Sequence, residues 1–214
     1  MIAAIRVAAG DDEREQLYSF RYRVYVEEMG RVQKYADHEA RSIRDPLDLT
    51  GHNLIALEGT RIVGCIRINF AENGGLDYYR RLLEMDSLVP GYPQQVSLCT
   101  RLMVAPEMRG SALALRLCTA SYDYGWRHGI RWNFIDCNDH LVGFFRRLGY
   151  LWTHRAVHEE YGDVNGMCLD LRDKAHLTAC KSPFLRSNAN RRRRDHAFGG
   201  KAAFHLELGT PPCR

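Results

Sequence analysis

The chain has 214 residues, 45% hydrophobic and 26% charged, which fits one globular domain; at that length folding buries about 70% of the unfolded surface, enough for a core without staples. No stretch approaches the roughly 20 apolar residues that cross a bilayer, and the opening MIAAIRVAAGDDERE turns acidic too early for a signal peptide, so a cytoplasmic protein is expected. The net charge of +4 is uneven: residues 172–214 hold ten Lys/Arg against three Asp/Glu, and residues 1–171 hold twenty against twenty-three, so the basic character belongs to the tail.

Residues 1–8 alternate weakly and predict a first strand. Asp11-Asp12 then supplies an N-cap signal for a helix to about residue 30, with Leu17, Phe20, Val24 and Met29 on one stripe. Residues 31–51 are polar and irregular and end in Asp45-Pro46-Leu47-Asp48. Two strands, HNLIALE and RIVGCIRINF, follow around the short turn Glu58-Gly59-Thr60, a hairpin signature. After a helical piece around DYYRRLLEMD, QVSLCTRLMV reads as a central strand that Pro106 ends. From Gly110 to about His128, Leu113, Leu117, Ala120 and Tyr124 recur at helical spacing. IRWNFIDC is another strand, Asn138 caps a helix that Gly149 stops, and YLWTHRAV and NGMCLDL complete a mixed α/β sheet. The seven cysteines lack C-x-x-C spacing and sit mostly in apolar runs, so they read as buried thiols of a reducing compartment, with Cys99 and Cys137 the candidates for a nucleophile.

The sharpest local signal is RLMVAPEMRGSALALRL, a strand that runs through a small-residue turn directly into a helix. A helix N-terminus presents unpaired N–H groups and partial positive charge to a phosphate, and small residues let it approach the backbone. Such a turn also arises as plain packing. The segment resembles motif A of the GNAT acyltransferases, R/Q-x-x-G-x-G/A after a strand ending in Val, with Arg109 in the first position, Ala112 where the family usually has Gly, and Ala114 in the last. Asn138-x10-Gly149-Tyr150 resembles motif B, and Phe145 stands where that family often carries the tyrosine that protonates the departing thiolate. The resemblance implies a GNAT-like fold, a mixed sheet flanked by helices. It also implies a donor site at Met103, Val104, Arg109, Gly110, Ser111, Ala112, Leu113, Ala114, Asn138 and Phe145. No tightly bound cofactor and no metal are expected; acyl-phosphopantetheine, on carrier protein or CoA, is a cosubstrate.

Arg21 lies four residues from both Leu17 and Tyr25, which turns it to the apolar face of its helix. Arg67 shares a strand face with Val63 and Cys65, and Arg101 with Cys99 and Met103. Buried guanidinium groups need anions, and Asp45 and Asp48 are the candidates. Three arginines against two aspartates leave one positive charge for a carboxylate-bearing ligand, or the five form a network that only ties loop to sheet. The run FRYRVYVEEMG…DPLD…VGCIRIN…TRLMV resembles acyl-homoserine lactone synthases and, more closely, long-chain N-acyl amino acid synthases; the likeness covers most of residues 15–185. It implies catalytic-site positions at Arg21, Asp45, Asp48, Arg67 and Arg101. Leu98, where lactone synthases carry glutamate, and Arg31, near their tryptophan, depart from that branch.

The expected reaction is aminolysis: a fatty acyl group passes from an acyl-carrier-protein thioester to the α-amine of an amino acid. A backbone N–H of the strand ending at Val104 would face the oxyanion, Arg67 or Arg101 would hold the substrate carboxylate, and His140 is a candidate base against the plainer reading of a solvated side chain. Glu27 and Glu28 read as solvent-facing. Residues 101–147 carry seven Arg against four acids, which suits an acidic carrier protein and CoA phosphates alike. The alternatives are an acetyl-CoA-dependent N-acetyltransferase, a lactone-synthase-like signal enzyme, or a non-enzymatic protein that binds nucleic acid or membrane through its RRRR tail; nucleic acid is not the expected partner. The domain is expected over residues 1–185, with a basic, mobile tail over 186–214.

Overall fold

The structure is a computed structural model and describes residues 4–185. The expected basic tail, including Cys213, lies outside the described residues. A seven-stranded sheet is built from β1 (Ile5–Val7), β4 (Gly51–Glu58), β5 (Arg61–Phe70), β6 (Val96–Val104), β7 (Trp132–Cys137), β8 (Leu151–His158) and β9 (Gly162–Asp170). Across the sheet the order is β1-β4-β5-β6-β7-β9-β8. All neighbours are antiparallel except β6 and β7, which helix α4 (Leu113–Arg127) connects as a crossover. The predicted hairpin is β4–β5, turned at Gly59 with φ of +61°. Helices α1 (Gly10–Tyr22), α4, α5 (Asp139–Leu148) and α6 (Lys174–Ala179) pack residues such as Leu17, Leu117, Leu148 and Leu177 into a larger core. Short helices α2 (Asp77–Leu82) and α3 (Met85–Leu88) cover a smaller core of Leu83, Met85, Leu98 and Phe134.

Four local expectations need correction. The first helix is capped by Ala9, not Asp11-Asp12; Asp11, Asp12 and Glu13 lie in its first turn, where they complement the helix dipole. It does not continue regularly to residue 30, because Arg23–Glu28 form a π-helix. The wider turn rotates the end of the helix, so Leu17, Phe20 and Val24 are buried while Met29 is 42% exposed. The irregular segment contains a small ladder, β2 (Ala36–Asp37) with β3 (Ser42–Ile43), too short to leave a period in the sequence. The helical piece after β5 breaks into α2 and α3 at Glu84, which adopts a left-handed φ of 49°.

The irregularity that matters for the site is in β6. Cys65 pairs with Met103 and Arg67 with Thr100, so two residues, Arg101 and Leu102, oppose Ile66 alone. This is a β-bulge, and Arg101 takes a φ of 56° within it. Cys99 faces α4 through Ser121 Oγ at 3.0 Å, whereas Thr100 and Arg101 both turn to the opposite face, toward Arg67 and Asp45. Arg101 therefore does not share a face with Cys99 as strict alternation predicts.

Candidate active site

Arg21, Asp45, Asp48, Arg67 and Arg101 come together on the α1 face of the sheet. The short loop holding the acids is pinned by a capping box between Asp45 and Asp48. Arg21 Nη1 donates to Asp48 Oδ2 at 2.8 Å and its Nη2 to Asn53 Oδ1 at 2.6 Å. Arg67 Nη1 reaches Asp45 Oδ1 at 2.5 Å and Asp48 Oδ1 at 3.0 Å, and its Nε donates to Thr100 Oγ1. Arg101 grips Asp45 Oδ2 through Nε at 3.1 Å and Nη2 at 2.8 Å, while Nη1 donates to Gln33 Oε1 and Tyr161 Oη. Burial alone would raise the Asp45 carboxyl, but Arg67 and Arg101 outweigh it and hold it below the usual range. Asp48 is held well below that range: burial opposes, and Arg21 and Arg67 prevail.

Three arginines share the two aspartates, and Arg67 pairs with both. Every nitrogen of Arg101 has a partner, whereas Arg67 Nη2 donates to no described residue. Arg67 lines a cavity of about 130 Å³ with Tyr78, Tyr79, His158, Glu159 and Arg101.

A larger cavity of about 300 Å³ opens between β6 and β7. These strands pair only at Val96–Trp132, Ser97–Asn133 and Leu98–Phe134, then splay, leaving the facing edges of β6 and β7 unpaired beyond that point. The cleft passes through the sheet: Cys118, Ile135 and Phe145 line it on the α4/α5 side, and Tyr25, Arg101 and Asp136 on the other. Among the residues singled out from sequence, Met103, Val104, Arg109, Asn138, His140 and Phe145 all line it. Gly110, Ser111, Ala112 and Ala114 sit outside the lining at the start of α4, where first-turn N–H groups lack intrahelical partners. Leu113 is fully buried and packs against Gly64, so its side chain is core. Asn138 occupies the N-cap position of α5 without a side-chain capping bond. Glu27 and Glu28 are not simply solvated: Glu27 pairs with Arg41, and Glu28 takes both Arg109 amino groups, tying the π-helix to the turn before α4. Burial pushes Cys99 up to about 11 and Cys137 up to about 12, so neither is a thiolate nucleophile at neutral pH.

The family model of N-acyl amino acid synthase FeeM matches residues 16–166. This chain belongs to that family. It is an acyltransferase. The structure of FeeM from uncultured soil microbes is 14% identical to this FeeM-family chain, with a TM-score of 0.63 over 86% of this chain and 96% of its own. The CoA-dependent acyl-homoserine lactone synthase BjaI with MTA is 21% identical, with a TM-score of 0.65 over 86% of this chain and 90% of its own. ElaA of Escherichia coli is 21% identical, with a TM-score of 0.57 over 79% of this chain and 100% of its own. These likenesses show a GNAT-like acyltransferase fold. No curated protein sequence gives a significant match.

Tyr79 and His158, unlike Arg101, carry no signal in the sequence alone. Tyr79 and Arg101 line both cavities and form the wall between them. Glu160 N–H donates to His158 Nδ1 at 3.0 Å, and burial lowers the His158 pKa; the neutral ring must then carry its proton on Nε2, which faces Tyr79 Oη at 3.3 Å. Tyr79 accepts that bond, which leaves its own hydroxyl proton free for another acceptor. Burial pushes the Tyr79 hydroxyl far above its ordinary range. At the lactone-synthase departures, Leu98 is fully buried and Arg31 lies over the rings of Tyr25 and Tyr161 beside the cleft. Among the described residues there is no cluster of metal-ligating side chains and no helix long and apolar enough to cross a membrane.

Proposed function

We propose that this acyltransferase moves a long-chain fatty acyl group from the phosphopantetheine thioester of an acyl carrier protein onto the α-amine of an amino acid. The observation that carries the reading is the pair of cavities on either side of the Tyr79–Arg101 wall. The larger, mostly apolar one suits an acyl-pantetheine arm threaded between β6 and β7. The smaller one offers a carboxylate the open Nη2 of Arg67, with Glu159 and Glu160 on its rim for an ammonium.

In this scheme the amine crosses the wall and attacks the thioester carbonyl, and positioning supplies much of the acceleration. The oxyanion meets a backbone N–H on the edge of β6 that β7 leaves unpaired. Phe145 has no proton for the departing thiolate, which is a tolerable leaving group and takes its proton from water; Tyr79, held by His158 with its hydroxyl proton free, donates a hydrogen bond to the developing sulfur anion. Arg21, Asp45 and Asp48 hold Arg67 and Arg101 in place. Seven arginines against four acids over residues 101–147 suit an acidic carrier protein and CoA phosphates alike, so the assay has to separate the two donors.

The test is incubation with long-chain acyl-carrier protein, acyl-CoA and acetyl-CoA, each with the twenty amino acids, and mass spectrometry of the products. N-acyl amino acid formed from acyl-carrier protein is expected. Product from acetyl-CoA alone would replace the reading with an ordinary N-acetyltransferase.

A further inference from the structure

We propose that Asp136 is the base that takes the proton from the attacking amine, an inference that rests on the acyl-transfer reading above. Asp136 is the penultimate residue of β7, on the same face as Phe134, and its carboxyl lines the cleft. Its antiparallel partner on β9 is Gly166. A side chain there would meet Thr153 Oγ1 at 2.8 Å and Leu83 Cδ2 at 3.2 Å, so the strand beside Asp136 carries none. Among the described residues no ion pair or hydrogen bond from another residue holds the carboxylate. Arg101, the cation facing it, is committed to Asp45.

A strand that places an unpaired carboxylate in an apolar cleft bears a desolvation cost that a Phe or Val at the same position would avoid. A reason to keep it lies in the surroundings. Arg101 and Tyr79, the two residues common to both cavities, are on the side of the sheet that Asp136 faces, where an amine leaving the smaller cavity would emerge. His140 is exposed in the first turn of α5 and is less well placed. The titratable groups around Asp136 are Arg101 from β6, Tyr78 and Tyr79 from α2, His154 of β8 over Gly166, and Cys137 beside it. Burial pushes the Asp136 pKa up to about 6, against its own backbone N–H and Arg101. It is therefore ionised at neutral pH yet far more basic than an ordinary aspartate.

The step balances without a further reagent. The amine lone pair forms the C–N bond, the N–H proton passes to an Asp136 carboxylate oxygen, and the tetrahedral intermediate collapses with cleavage of the C–S bond. The thiolate takes up one proton and Asp136 returns one to water, giving amide and free thiol.

The test compares wild-type and Asp136→Asn proteins with the acyl donor and amino acid found active above. The expected result is a kcat lower by about 10²–10⁴-fold with donor KM nearly unchanged, and loss of the acid limb near pH 6 that wild-type kcat should show. Asp136→Asn turnover close to wild type, or a variant that keeps the limb, overturns the inference while leaving acyl transfer intact. The wild-type profile is a check that needs no variant, since a kcat flat from pH 5 to 7 overturns it equally. A wild-type protein that acylates no amine sinks the acyl-transfer reading, and this inference with it.

Discussion

Replacing Asp136 by Asn should make the protein more stable at neutral pH, although the residue lines the cleft between β6 and β7. The carboxyl moves from 3.8 in the unfolded chain to about 6 in the fold, and each pKa unit corresponds to about 1.4 kcal/mol. The ionised side chain therefore costs the native state at most about 3 kcal/mol, which we discount to about 2 kcal/mol because the carboxyl is partly exposed to the cleft. The sign comes from a folded pKa raised above the unfolded one: the native state holds the proton more tightly, so the Asp136 contribution to stability is fully present below pH 3.8 and is lost as pH rises through about 6. The gain from Asp136→Asn should be close to zero near pH 4 and complete by pH 7, where it would raise the midpoint of thermal unfolding by about 4–8 °C. Urea unfolding of both proteins at pH 4, 5.5 and 7.5 measures the difference directly, and other carboxylates cancel in it. A variant that is less stable at pH 7.5, or whose advantage does not change with pH, would refute the reasoning.

The remaining expectations concern other parts of the site. Asp48→Asn should destabilise by about 3–5 kcal/mol, since it leaves the fully buried Arg21 without its anion. Because the Asp48 carboxyl is depressed in the fold, the stability it supplies is present above its unfolded pKa and lost as pH falls toward its folded one; acid titrations of unfolding should show that loss in wild type and a shallower one in the variant. Glu28→Gln should change stability by less than about 1 kcal/mol, as the Arg109 pair is exposed. It should lower the KM of a phosphate-bearing donor by freeing Arg109, and an unchanged KM would count against a phosphate role for that arginine. Tyr79→Phe should lower kcat by about tenfold or more with little effect on amine KM, in steady-state assays.

Much of the charged cluster was legible because burying arginine imposes a strict demand for anions. Once Arg21, Arg67 and Arg101 fall on apolar faces, Asp45 and Asp48 are the acids within a rigid turn that can answer them, and the structure brings all five together. The turn from β6 into α4 around Gly110 and the end of α5 at Gly149 were legible as glycine punctuation. The face of Arg101 was not, because the two-residue period holds only while the ladder is regular, and an inserted residue leaves no mark in composition. Met29 was misplaced for the same reason, by one wide helical turn. Asp136 went unread because Asp136-Cys137-Asn138-Asp139 looks like a polar strand end; its isolation depends on Gly166, thirty positions later. Tyr79 acquires meaning only through His158, whose tautomer is set by a backbone N–H.

The parting of β6 from β7 also bears on how the protein should behave when occupied. A pantetheine arm carries two amides, and laid along the bare edge of β6 it can pair as peptide does, becoming in effect a guest strand. Amide exchange over residues 99–104 and 135–137 should then slow when donor is present, while the already paired β4–β5 hairpin stays as it was. The sheet is built one neighbour short at its middle, and under the proposed reading the donor would complete it.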